Sequence, residues 1–245
     1  YARAALAQPG GVLAALPSGK VAVERLRTLM IGEGAAAVEV TALRVTGVQL
    51  NPGYLLIDPA GRLFAVFGPS EDGTVIREGY EKWVPVLARL GDALEIARAF
   101  ALQQKLAHRF DTPVRIRNVR VFDPASGALS PLSTVIVMRD TITQVLPDDS
   151  APAPADETVI DGEGGTVYPG LHDMHSHATL ASGLMYLAAG VTATRDMGND
   201  NAFLQELLSR IDQGRVAWPR ISPNGFIEGR SPYSARNGFI PGSID

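Results

Sequence analysis

The chain has 245 residues, 46% hydrophobic and 20% charged, with a formal net charge of -4. Such a composition belongs to a soluble globular protein with a sizeable core in one or two domains. The mildly acidic balance gives no basic footprint for nucleic acid, and no apolar run approaches the ~18 residues needed for a membrane span. Cysteine is absent, which removes disulfides and thiolate metal ligands and leaves the redox compartment unread. The first residue is Tyr1. A cleaved export signal would account for that, so a periplasmic location in a bacterium is one expectation.

Residues 1–16 alternate alanine and leucine around Pro9-Gly10-Gly11 and predict a short helix and a break. From Val21 to Phe67 the apolar period falls to two, with strands expected at Val38–Val40 and over Leu43, Val45, Val48 and Leu50. Tyr54–Phe67 predicts a hairpin turned by Asp58-Pro59-Ala60-Gly61, where proline presets φ and glycine supplies a positive one. From Gly79 to His108, Trp83, Val86, Leu87, Leu90, Leu94 and Phe100 recur near 3.6 residues and predict helix. Pro85 suits a first turn, and Gly91 marks an expected break between two helices. His108, in the last turn, is expected only to meet the helix dipole. Strands follow at Val114–Val119 and Leu132–Val145, with turns at Asp123-Pro124 and Arg139-Asp140.

The stretch Val167-Tyr-Pro-Gly-Leu-His-Asp-Met-His-Ser-His177 organises the C-terminal part of the chain. Three of the four histidines lie in six residues. If the stretch is extended, Asp173, His175 and His177 share one face, and Met174 and Ser176 face the other way. Two imidazoles side by side are half of a divalent metal site. Beyond them a short helix to Leu187 precedes a buried strand at Val191–Met197. Asn199-Asp200-Asn201 caps a helix whose apolar face carries Phe203, Leu204, Leu207, Leu208 and Ile211. Arg220–Pro223 is a third strand. This alternation predicts a parallel barrel or an open doubly wound sheet. A histidine pair at a strand's C-terminal end favours the barrel.

Pro169-Gly170-Leu171-x-Asp173-x-His175-x-His177, followed by Gly190-Val191-Thr192-Ala193-Thr194-Arg195-Asp196-Met197-Gly198, resembles the amidohydrolase superfamily, notably its imidazolonepropionase-like and peptidase-like amidohydrolases. The resemblance runs from about residue 114 to 225, and His172 departs from it where an aliphatic residue is usual. It implies an α/β chain: the first part of a (β/α)8 TIM-like barrel preceded by half of a β-sandwich and an extra N-terminal α+β domain. The expected divisions are 1–112 for the extra domain, 113–166 for the composite sandwich and 167–245 for the first three βα units.

The resemblance also implies that His175 and His177 bind a divalent metal, zinc by preference, as one or two ions. The family draws further histidines, a bridging lysine and a late aspartate from later strands. This sequence has no histidine after His177 and no lysine after Lys105. A remaining C-terminal barrel segment, in the same polypeptide or a second chain, is therefore an expected partner, and a homo-oligomer is expected too. Asp173 is expected to orient a ligand histidine or offset the metal's charge, or simply to make a structural hydrogen bond. Arg195 and Asp196, at the second strand's end, read as a structural pair. Arg230, Tyr233 and Arg236 lie in a polar segment after the third strand and are the substrate-binding candidates. The expected reaction is hydrolysis of a C–N bond in an amide, peptide-like or cyclic amide small molecule by metal-activated water. A deaminase, esterase or isomerase on the same barrel, or a metal-free scaffold of the same fold, remain the alternatives.

Overall fold

The computed structural model describes residues 1–71, 73–148, 152–234 and 238–242. The chain divides into two compact units, Tyr1–Leu102 with Thr179–Ala181, and Gln103–Ala178 with Ser182–Asp245.

The first unit opens with α1 (Ala2–Leu6) and continues as β1 (Val12–Ala14), β2 (Lys20–Ile31), β3 (Val38–Thr46), β4 (Gly53–Ile57), β5 (Leu63–Phe67) and β6 (Val75–Ile76). The strands form one sheet in chain order, each antiparallel to the last. Because successive side chains alternate, Ala42 joins Ile31, Tyr54, Leu56, Phe64 and Leu87 in one core. Its neighbour Leu43 packs with Val23 and Ala5 of α1 in another. The expected hairpin is present. Gly61 donates to the Asp58 carbonyl at 2.8 Å with φ +72°, while the buried Asp58 side chain accepts from the Ala60 and Arg62 amides and from the Arg62 and Arg77 guanidiniums. The hydrogen bond from the Arg62 amide leads the causes that pull this carboxyl down to about 2.

Three expectations need correction, the first being that the helix expected to hold His108 in its last turn ends at Leu106, which leaves His108 beyond it. β3 ends at Thr46, and Val48 and Leu50 lie exposed in the bend after it. The helix after β6 is one element, α2 (Val84–Leu106), with Gly91 buried inside it. A Cβ at Gly91 would lie 2.1 Å from the Gly68 carbonyl oxygen. Glycine is there to admit a backbone from the loop after β5, not to break the helix. α2 also buries Glu95, which accepts from the Tyr54 hydroxyl at 2.5 Å and from Arg98 at 3.0 Å. Burial, then the Glu95 carboxylate, push the Tyr54 hydroxyl upward.

The second unit begins with β7 (Val114–Asp123), β8 (Ala128–Leu129), β9 (Ser133–Met138), β10 (Thr141–Pro147), β11 (Thr158–Asp161) and β12 (Thr166–Val167). Its sheet runs β10-β9-β7-β11, with β8 and β12 also on β7. β10 is exposed along its length and bulges between Ile142 and Gln144. Then come β13 (Leu171–Ser176), α3 (Ser182–Ala188), β14 (Val191–Asp196), α4 (Asn201–Asp212) and β15 (Arg220–Pro223). β13, β14 and β15 form a parallel sheet in chain order, the arrangement that helical crossovers produce. The chain is thus mixed α/β. The Asp200 side chain caps α4 by accepting from the Phe203 amide at 2.8 Å, and Leu204 and Leu207 bury that helix's apolar face. No helix among the described residues is long and apolar enough to cross a membrane.

Candidate functional site

β13 sits hard against β14 at its start. A Cβ on Gly170 would fall 1.9 Å from the Thr192 hydroxyl, so the Pro-Gly entry is a steric requirement of this pairing. Along the strand, Asp173 pairs with Thr194 but Ser176 pairs with Asp196. Three steps on β13 therefore match two on β14, a bulge spanning Met174 and His175. His175, in the bulge, and His177, past it, are both exposed with Ser176 buried between them. Their ring centroids are 5.3 Å apart at an interplanar angle of 69°. The expected imidazole pair is in place.

The ring of His177 is oriented by the backbone. Its Nδ1 lies 2.7 Å from the Gly198 carbonyl oxygen. A carbonyl only accepts, so in the neutral ring Nδ1 carries the proton and Nε2 keeps its lone pair. That is the arrangement of a histidine ready to bind a metal through Nε2.

The bulge removes strict alternation as a guide to Asp173. One of its oxygens accepts from the His175 amide at 3.0 Å, and the other from the Tyr186 hydroxyl of α3 at 2.8 Å. The His175 amide and then the Tyr186 hydroxyl hold this carboxyl below its usual range. Burial first, and Asp173 second, push the Tyr186 hydroxyl up. Tyr186 in turn packs on Trp218, with ring centroids 5.5 Å apart. Asp173 thereby fixes the backbone of His175.

Asp196 is fully buried. It accepts from the Ala178 amide at 2.8 Å, the Gly198 amide at 3.1 Å and the Asn199 side chain at 3.0 Å. Arg195 is not its partner; Arg195 Nε donates to the Met174 carbonyl at 3.1 Å. The expected Arg195–Asp196 pair is thus replaced by separate partners for each side chain, main-chain groups for both and the Asn199 side chain as well for Asp196, because adjacent strand residues point to opposite faces. His172 is exposed.

Among the described residues, no group of three or more His, Cys, Asp or Glu side chains could hold a metal ion. The donor set present is the two imidazoles, which suit a divalent ion as two ligands of three or four. Arg230 and Tyr233 are exposed on the segment after β15, whose base is closed by Glu228 and Phe239 amides donating to the Phe239 and Phe226 carbonyls at 3.0 and 2.8 Å. Arg236 lies outside the described residues. Sequence reasoning missed Tyr186, which no local pattern marks, and Gly198, whose place two residues after Asp196 was a usable signal.

No protein-family model matches the chain, and no curated protein matches it. Solved structures do. A candidate prolidase from Bifidobacterium longum is 26% identical over 54% of this chain and 34% of its own, with a TM-score of 0.45. Bottromycin amidohydrolase is 25% identical over 61% of this chain and 31% of its own, with a TM-score of 0.44. A prolidase complexed with N-methylphosphonate-L-proline is 26% identical over 48% of this chain and 33% of its own, with a TM-score of 0.38. The chain spans about a third of the length of these structures. Over roughly half of its own length, the chain is thus similar to solved structures of two prolidases and an amidohydrolase.

Proposed function

We propose that this chain carries part of the active site of a metal-dependent hydrolase acting on C–N bonds, with His175 and His177 as two ligands of a divalent ion, zinc by preference. The observation that carries the reading is the imidazole pair with rings 5.3 Å apart, one of them held with its Nε2 free by the Gly198 carbonyl. A bound divalent ion would polarise the scissile carbonyl and lower the pKa of its water to about 7. His177 presents Nε2 because its other nitrogen is engaged, and His175 is held at its main chain by Asp173. Arg230, Tyr233 and Arg236 form the proposed substrate-binding segment, with the guanidiniums suited to a carboxylate on an amide or peptide-like substrate.

Two imidazoles do not complete a zinc site, so the reading assigns the remaining ligands and the general base to polypeptide outside the described residues. In the same proposal β13, β14 and β15 are the first three strands of a (β/α)8 barrel, and residues 113–166 belong to a composite β-sandwich. Residues 1–112 form an added domain.

The test is metal content. The completed protein, joined to the polypeptide that supplies the remaining ligands and purified with zinc supplied, should retain about one equivalent or more, and His175→Ala or His177→Ala in it should lose most of that metal along with hydrolysis of a dipeptide or cyclic-amide panel. Retention by wild type of less than about a tenth of an equivalent would overturn the assignment, as would full metal content in both variants.

A further inference from the structure

We propose that Asp196 is a positioning residue for His177, acting through the main chain on both sides of the bond between the His177 ring and the Gly198 carbonyl. The inference rests on the metal-ligand reading only in taking Nε2 of His177 as the donor atom.

The geometry is specific. One carboxylate oxygen of Asp196 accepts from the amide of Ala178, the residue directly after His177. The other accepts from the amide of Gly198, whose own carbonyl receives the His177 Nδ1 proton. A single buried side chain thus grips both partners of the orienting hydrogen bond, one at the end of β13 and one at the end of β14. Asn199 closes the arrangement. Its side-chain amide donates to Asp196 at 3.0 Å and to the Ala178 carbonyl at 2.8 Å. Gly198 has φ +155°, and a Cβ there would lie 3.2 Å from the Phe226 ring.

A buried carboxylate with no bound cation costs free energy that neutral donors must offset. Three such donors meet Asp196 here, and two of them belong to the segments that carry the His177–Gly198 contact. Ordinary loop closure needs a polar group of some kind. It does not need one that takes the Gly198 amide and the amide after His177 together.

Asp196→Asn tests this with little change in shape. Whichever oxygen becomes an amide nitrogen, one main-chain N–H loses its acceptor and faces another donor. In the full chain labelled with 15N-histidine, at a pH where imidazoles are neutral, long-range proton–nitrogen spectra read the tautomer of each ring. Wild-type His177 should be a single tautomer protonated at Nδ1. In Asp196→Asn it should become a mixture, and zinc affinity measured by chelator competition should fall by about 10- to 100-fold, the usual effect of disturbing a ligand's outer partners. If Asp196→Asn does not fold, Asn199→Ala carries the test, with a smaller shift in the same direction. A His177 tautomer unchanged in the folded variant overturns the proposal, and so does a wild-type ring not protonated at Nδ1. A ring that responds in a protein with no zinc affinity leaves the positioning role standing and removes the metal reading instead.

Discussion

Two regions of this chain hold carboxylates in two different ways. In the N-terminal sheet, Asp58 and Glu95 are met by arginines: Arg62 and Arg77 on one, Arg98 on the other. Around the histidine pair, Asp173 and Asp196 are met by main-chain amides, a tyrosine hydroxyl and an asparagine side chain. Guanidinium pairing neutralises charge locally. Amide and hydroxyl donors satisfy the lone pairs but leave the negative charge in place, where it favours a nearby cation. The first arrangement suits a scaffold, and the second suits the metal site proposed above.

The sharpest way to break this comparison is Glu95→Ala. If Glu95 and Arg98 form a structural pair, removing the carboxylate should cost about 3–5 kcal/mol of stability by denaturant unfolding. Zinc affinity should not change. Loss of zinc affinity in a folded Glu95→Ala protein would erase the distinction drawn between the two regions.

Gly91→Ala comes next and has a useful sign. In an open helix the change would stabilise by up to about 1 kcal/mol. Against the Gly68 carbonyl, the added methyl should instead cost about 1–3 kcal/mol, read as a lowered midpoint.

A third prediction uses acid. The folded Asp58 carboxyl is depressed from its ordinary 3.8 to about 2. The stability it confers is complete above the unfolded value and is lost as pH falls through about 2. Asp58→Asn should flatten that acid limb in a series of thermal melts between those values, and an unaltered limb would contradict the pairing. The smallest effect is expected from Tyr186→Phe, which removes one hydroxyl from Asp173 and leaves the His175 amide bond intact. Zinc affinity should weaken by no more than about tenfold.

Much of the second unit was legible because its signals are local. Arg220–Pro223 reads directly as a strand, and Asp200 reads as a cap because its oxygen needs only the amide three residues on. The histidine pair was legible from spacing alone. Asp173 was not, because alternation holds only for an unbulged strand, and the irregularity between Asp173 and Ser176 depends on the partner β14. Gly91 misled for the same kind of reason: what it touches lies more than twenty residues back. The role of Asp196 was hidden by its neighbour, since an Arg-Asp dipeptide suggests a pair that strand geometry forbids. Glu95 sat unnoticed on a helix face whose polar contacts come from β4.

The exposed strand β10 has a consequence for handling the protein. Among the described residues it is the terminal strand of its sheet and shows Ile142, Val145 and Leu146 to solvent. A free edge with apolar side chains is a template on which a second chain can add a strand, and concentration drives that addition. Two features blunt it. The bulge between Ile142 and Gln144 interrupts the ladder, and Pro147 ends the strand with no N–H to offer. What remains, Gln144 to Leu146, is a short adhesive segment. A lysine at Val145 would therefore lower turbidity on concentration without touching the core or the histidine pair.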